Sequence, residues 1–329
     1  MRALVIQTAF IGDVVLASAT VESLHSAGFE VHIMVRKGNE QLFADHPFIR
    51  HIYVWDKRHK YISLLSNLRY VRSIGFDVVI NLQRYGTTAW FTLASGARIK
   101  AGFRTTIASR FYTHSILYST ATPEHEVERN YRLLSSAVQA DAKPPRLYPS
   151  AADYEAIAPF THQPYVCIAP TSVWYTKQLP MEQWHDVIRA LNTNVYLLGS
   201  DADSPVCNQL AAMAGSLTTN LAGKLSLLES AALISRASCT IANDSAVTHI
   251  ASAMDAPIVT IFCSTIPEFG FGPLSSVAAI VQTTQTLSCR PCGIHGLAQC
   301  PEKHFLCARS IGTSQILSAV NSISTLRGM

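Results

Sequence analysis

The sequence predicts an α/β protein built as two parallel-sheet domains. Three observations point there. Short apolar runs of strand length alternate with helical patterns. The runs are continuously apolar rather than alternating, as in strands buried on both faces. The alternation stops at a proline-rich stretch and then starts again.

In the first half ALVIQT, VHIMV, HIYVW and DVVINL read as strands. Between them VVLASATVESLHSAG, stopped at Gly28, and ISLLSNLRYVRSIG, stopped at Gly75, read as helices. Residues 143–164 hold Pro144, Pro145, Pro149, Pro159 and Pro164 and keep no sustained period, so they read as a linker or crossover. Strands resume with YVCIAP, VYLLGS, CTIAND and PIVTIF, helices among them include PMEQWHDVIRAL and SLLESAALISRA, and SQILSAVNSISTL is a closing amphipathic helix. The expected domains are residues 1–150 and 151–329, with the last helix free to pack back on the first. Open parallel sheets bind ligands beyond the C-terminal ends of their strands, so two such domains facing one another would line a cleft with strand-to-helix turns.

At 329 residues the chain is long for one hydrophobic core and comfortable for two. No apolar run approaches the ~18 residues of a membrane span. Arg2 leads straight into a strand with no signal-peptide pattern, which predicts a cytoplasmic protein. The net charge of +4 is uneven: residues 1–150 hold 18 Lys+Arg against 11 Asp+Glu, and residues 151–329 hold 8 against 11. A basic first half predicts an anionic partner there. The absence of a long Lys/Arg run or a basic stretch interleaved with aromatics argues against nucleic acid.

Asp13 directly follows Gly12 in AFIGDVVLASA, at the mouth of the first helix. An acid there complements the helix dipole. The same physics keeps it ionised and ready to accept a proton from a substrate hydroxyl, and Gly12 leaves room for the approach. No G-x-G-x-x-G is present, so this turn lacks a dinucleotide fingerprint. In IANDSAVTHIASAM, Asn243, Asp244 and Ser245 are natural helix caps, or the start of a phosphate cradle, with His249 one turn in. APTSVWYTKQLP offers Thr171, Ser172 and Lys177 after a strand, and LLGSDADSP offers Asp201 and Asp203 as ribose ligands or caps. Cys167, Cys207, Cys239 and Cys263 read as small core residues. Cys289, Cys292, Cys300 and Cys307, spaced C-x2-C-x7-C-x6-C with His295 and His304 between, could hold a structural metal. The second spacing is not that of a zinc ribbon, and reduced thiols are the expected state.

IQTAFIGDVVLAS, TKQLP, the long stretch LAGKLSLLESAALISRASCTIANDSAVTHIASAMDAPIVTIF and then FGP together resemble glycosyltransferase family 9, which contains the ADP-heptose:lipopolysaccharide heptosyltransferases. The resemblance runs from residue 1 to about residue 312. It implies the GT-B fold: two Rossmann-like domains facing across a cleft, acceptor on the first and nucleotide-sugar on the second. It also implies an inverting transfer that needs no metal or other cofactor. Asp13 matches the family's general base, and Lys177 the lysine on the donor diphosphate. Asp244, Ser245 and Ala246 match the turn where the diphosphate docks, with His249 behind it. Asp203 matches the acid on the ribose and Leu225 the apolar contact to the base, and Thr171 and Ser172 join the donor side. Ala246 departs from the family's usual glycine, which would strain the turn if it needs a left-handed backbone.

Gly12, Lys57, Arg58, Lys60, Arg84 and Arg104 are expected on the acceptor side, with Arg98 and Lys100 nearby. The implied partners are an ADP-activated sugar, an anionic lipid-linked or core-oligosaccharide acceptor, and a peripheral contact with the cytoplasmic face of the inner membrane. The alternatives are a related transferase using another nucleotide-sugar or a different acceptor, and a non-catalytic nucleotide-sugar-binding module, which would have no use for Asp13.

Overall fold

The computed structural model describes residues 1–326, so the last three residues of the expected second domain lie outside the described residues. The chain divides into two compact units, Met1–Tyr148 and the residues from Pro149 onward.

In the first unit β1 (Arg2–Ile6), β2 (Glu30–Arg36), β3 (Ile49–Trp55), β4 (Val78–Asn81), β5 (Ile99–Phe103) and β6 (His114–Ile116) form one sheet, ordered β3-β2-β1-β4-β5-β6. Every pairing is parallel. The helices are α1 (Ile11–Ser26), α2 (Lys60–Ile74), α3 (Gly86–Ala94) and α4 (Glu126–Ala137). Parallel crossovers are right-handed, so connections running in opposite directions along the sheet lie on opposite faces. Accordingly α2, α3 and the short turn Ala108–Phe111 share one face, and α1 packs with α4 on the other. Leu4, Ile6, Met34 and Val79 from the strands and Phe91 from α3 build the core between sheet and helices. Gly75 ends α2 at φ +70°, where its N–H reaches the Val71 carbonyl; only glycine takes that conformation without strain.

The second unit repeats the plan. Its strands are β7 (Tyr165–Ala169), β8 (Asn194–Leu197), β9 (Thr218–Asn220), β10 (Cys239–Asn243), β11 (Ile258–Phe262) and β12 (Ala278–Gln282), ordered β12-β11-β10-β7-β8-β9 and all parallel. Around them lie α5 (Ala151–Ala156), α6 (Met181–Leu191), α7 (Ser204–Ala214), α8 (Leu227–Arg236), α9 (Ala246–Ala253), α10 (Leu306–Arg309) and α11 (Thr313–Leu326). Trp184, Val187 and Ile188 of α6 and Ile316 and Ile323 of α11 pack on Ile168, Ile241 and Ile261. The closing helix α11 thus lies on α6 and the β10–β12 side of its own unit. Cys167, Cys207, Cys239 and Cys263 are buried there as reduced core residues.

Two local readings change. The stretch read as a linker contains α5, seeded by a reciprocal capping box in which Ser150 and Asp153 satisfy one another's main-chain N–H groups. Helix α1 begins at Ile11 rather than after Asp13, which places Asp13 inside the first turn.

Candidate functional site

Each sheet reverses its strand order at one point: between β1 and β4 in the first unit and between β7 and β10 in the second. Loops at such a switch point splay apart and leave a crevice for ligand. Gly12, Asp13, Arg84, Thr171, Ser172, Lys177 and Asp244–Ala246 fall on or directly after these loops, whereas Lys57, Arg58 and Lys60 follow β3, Arg104 follows β5, Asp203 follows β8 and Leu225 follows β9.

In the first unit the β1–α1 loop leads to Asp13 and the β4–α3 loop carries Arg84. Gln83 Nε2 donates to Gln7 Oε1 and ties the two loops together. The Asp13 carboxylate lies by the main-chain N–H groups of Phe10 and of Asp13 itself, among the free donors of the helix start, and these favour its charged form. Burial, and then the nearby Glu126, push its pKa up to about 6, while Arg84 and the two N–H groups pull the other way.

Glu126 is buried at the start of α4, with its Oε2 2.9 Å from Arg129 Nε and 2.9 Å from the Tyr118 hydroxyl that donates to it. The Arg84 guanidinium lies 3.9 Å from the centre of the Tyr118 ring. Asp13, Arg84, Tyr118, Glu126 and Arg129 therefore form one charged group, of which the sequence reading named only Asp13 and Arg84. A signal for two of the other three was present: in EVERNYRLL, Glu126 and Arg129 fall on the same helical stripe as Leu133, so a buried ion pair was legible.

Among the other predicted cations, Lys57 donates to the Thr8 carbonyl at 2.9 Å, on the loop that leads to Asp13. Burial lowers its pKa, with Arg36 and Lys60 adding to the effect. Gly12 is half-buried beside Asp13, Arg58 is exposed, and Lys60 opens α2 with its ammonium 5.4 Å from the Tyr61 ring centre. Arg98 is exposed, and Lys100 donates to the Ala97 carbonyl. Arg104 lines a separate depression with Arg110, and Thr105 beside it donates to the Arg84 carbonyl.

In the second unit Lys177 ends a short turn after β7, and its Nζ lies 2.7 Å from Asp244 Oδ2. The pair is 14% and 7% exposed, so it is held with little water around it. Thr265 donates to the same carboxylate oxygen at 2.6 Å. Asn243 links the two loops, donating to the Pro170 carbonyl and accepting the Leu179 N–H. Ser172 Oγ lies 3.5 Å from the Asp244 carbonyl and Thr171 is half-buried beside it.

Ser245 is the N-cap of α9, yet its hydroxyl makes no cap bond and has no hydrogen-bond partner although its oxygen is buried. The first turn of α9 therefore keeps donors available. Ala246 opens α9 in ordinary right-handed geometry, so the turn does not need glycine's left-handed freedom. His249 is buried, its ring centre 6.3 Å from that of Phe271.

Asp203 accepts from the N–H and hydroxyl of Ser200, the cap role foreseen as its alternative. Gly223, at φ +74°, brings the loop carrying half-buried Leu225 against Asp201: an added Cβ would lie 2.7 Å from Asp201 Cα.

The cysteine-rich segment packs under Lys177. Leu297 N–H donates to Thr176 Oγ1 at 2.7 Å, and Ser264 Oγ donates to the same oxygen at 3.0 Å. Arg290 donates to the carbonyls of Cys263 and Thr265, fixing the loop that presents Thr265 to Asp244. Cys289, Cys292, Cys300, Cys307 and His304 line a cavity of about 250 Å³, with Cys289 Sγ 4.0 Å from His304 Nε2. Burial pushes the Cys307 thiol up to about 11. Among the described residues no three His, Cys, Asp or Glu side chains are arranged to hold a metal ion.

Residues 64–300 match glycosyltransferase family 9 (heptosyltransferase). Lipopolysaccharide heptosyltransferase 1 of Pseudomonas aeruginosa is 27% identical over 290 residues, spanning 82% of this chain and 80% of that protein. The solved ADP-heptose lipopolysaccharide heptosyltransferase II of E. coli superposes with a TM-score of 0.83 at 18% identity over 100% of both chains. The E. coli heptosyltransferase WaaC with ADP-2-deoxy-2-fluoro heptose gives 0.74 at 17% identity, over 98% of this chain and 99% of that one. The fold shared with these structures is the GT-B fold.

Proposed function

The chain belongs to glycosyltransferase family 9, and from that premise we propose that it moves heptose from ADP-heptose to an inner-core acceptor of lipopolysaccharide, with inversion and without a metal. The observation that carries the chemistry is Asp13: a carboxylate raised to about 6 at the switch point of the first sheet. It is ionised at neutral pH and a better proton acceptor than an ordinary aspartate.

The reaction is a single displacement. The acceptor hydroxyl oxygen attacks C1 of the donor sugar and its proton passes to Asp13. The bond from C1 to the phosphate oxygen breaks, and ADP leaves with the electron pair. We assign the donor to the second unit. Lys177, steadied by Asp244, meets the diphosphate together with the open N–H groups and the Ser245 hydroxyl of α9. Thr171 and Ser172 join them, Asp203 and Leu225 hold the nucleoside, and His249 backs the helix from inside. The acceptor belongs to the first unit, with Gly12, Lys57, Arg58, Lys60, Arg84 and Arg104 around its anionic groups. Presented by its lipid, it draws the protein into peripheral contact with the cytoplasmic face of the inner membrane.

Asp13→Asn is expected to keep the fold and ADP-heptose binding and to lose about 10²–10⁴-fold in turnover, the usual worth of a general base. ADP-heptose is expected to raise the melting temperature of the wild type, UDP- and GDP-sugars to leave it unchanged, and Lys177→Ala to lose the rise. Near-normal turnover of Asp13→Asn would remove the base assignment. A rise with a different nucleotide-sugar would keep the chemistry and change the donor.

A further inference from the structure

Helix α2 buries only Val71 completely, yet its outer face is not polar. Tyr61, Ile62, Leu65, Arg69 and Arg72 follow the 3–4 spacing that makes one helical stripe, and all five are exposed. On the same face of the sheet α3 exposes Trp90, and the Ala108–Phe111 turn packed against it exposes Phe111, with Ile107 just before. These six apolar side chains are 59% to 77% exposed. Isolated exposed apolar residues are ordinary, but six on three adjoining elements mark a surface that something covers.

The charge of this face identifies the cover. Setting aside Lys57 and Arg84, which serve the loops beside Asp13, residues 57–123 hold eight Lys+Arg and a single acid, Asp77. Asp77 is engaged by the Arg2 N–H at 2.8 Å. On the opposite face α1 and α4 carry Asp13, Glu22, Glu126 and Glu128 against Arg129 and Arg132. Beside Ile107 and Phe111, a depression of about 640 Å³ is lined by Arg104, Arg110, Thr106 and Ser115, a set of donors suited to a phosphate. The fold assembles the pattern from three elements.

We propose that this face of the first unit docks on an anionic lipid bilayer, its aromatic and aliphatic side chains entering the interface and its cations meeting headgroup phosphates. The inference deepens the peripheral contact proposed above and does not lean on the chemistry at Asp13.

The test is sedimentation with phosphatidylcholine vesicles and with vesicles containing phosphatidylglycerol. Binding to the anionic vesicles alone is expected, weakening as salt rises. Arg69→Ala and Arg72→Ala should each cut affinity about fivefold, the equivalent of ~1 kcal/mol per basic side chain at such a surface. The double variant Ile62→Ser/Leu65→Ser should abolish binding with its melting temperature unchanged, because both side chains are exposed. Brominated lipid should quench the exposed Trp90, an effect lost in Trp90→Phe. All these variants should turn over a water-soluble acceptor fragment normally, which keeps this test separate from that of the activity. Equal binding to both vesicle types, no binding to either, or binding unaffected by the variants would overturn the proposal. A vesicle-independent dimer dispersed by Ile62→Ser/Leu65→Ser would give the face to a second copy and overturn it too.

Discussion

Asp13 must be ionised to take a proton, and its surroundings make ionisation harder than water does. Burial and then Glu126 oppose the charge, and Arg84 and two main-chain N–H groups support it, leaving the pKa at about 6. The active form is the unprotonated one, so kcat/KM should fall tenfold per pH unit below about 6 and level off above it. The two flanking charges predict opposite displacements. Glu126→Gln removes a negative neighbour, which should move the acid limb to lower pH; Arg84→Met removes a positive one and should move it higher. Glu126 also pairs with buried Arg129 at 2.9 Å, so Glu126→Gln should cost about 3–5 kcal/mol, visible as a lower melting temperature. Arg84 is half-buried and its loss leaves that pair intact. Limbs that stay in place in both folded variants would show that another group sets the profile.

Most of the strands that a single sequence reveals are buried by neighbours on both sides; the edge strand β3, read as HIYVW, is the exception, because Tyr53 and Trp55 are themselves buried. Strands β1, β2, β4, β7, β10 and β11 lie within their sheets and read as unbroken apolar runs. Strands β6, β9 and β12 are sheet edges, short or half-exposed, and lose that signature. β5 loses it to Gly102, where a Cβ would lie 2.4 Å from the Tyr112 ring. The site divides similarly. Asp13, Lys177 and Asp244 each sit at a strand-to-helix turn that local pattern announces, whereas Tyr118, Thr265 and the supports of Lys177 arrive from distant elements. Gly296 is such a support. At φ +76° a Cβ there would lie 3.0 Å from Lys177 Cγ, 3.1 Å from Thr176 Oγ1 and 3.3 Å from Ser264 Oγ. Gly296→Ala should therefore strain the backbone by about 1–3 kcal/mol and displace the turn that aims Lys177. Calorimetric titration with ADP should show weaker binding as well as a lower melting temperature. A lower melting temperature with unchanged ADP affinity would confine the cysteine-rich segment to stability.

Each of the two units repeats one design: a six-stranded parallel sheet, a reversal of strand order, and reactive or anion-binding side chains on the loops at the reversal. The division of labour proposed for them follows from what those loops carry. In the second unit the loops offer a cation, a helix start with open donors and an unpaired hydroxyl, all suited to a diphosphate. In the first they offer a carboxylate that accepts a proton, with Arg84 beside it. A ligand stabilises the segments that hold it against local opening, because it binds the closed form and not the open one. ADP contains the diphosphate and the nucleoside but nothing for Asp13 to act on. Amide hydrogen exchange with ADP alone should therefore slow at residues 171–179, 200–204, 223–226 and 244–249, and should leave residues 9–13 and 82–86 as they were. The same experiment on Lys177→Ala at equal ADP should lose most of the slowing, since the cation that meets the diphosphate is gone while Asp244 keeps its bond from Thr265. Slowing at residues 9–13 in place of 244–249 would put the nucleotide on the first unit and reverse the assignment of donor and acceptor.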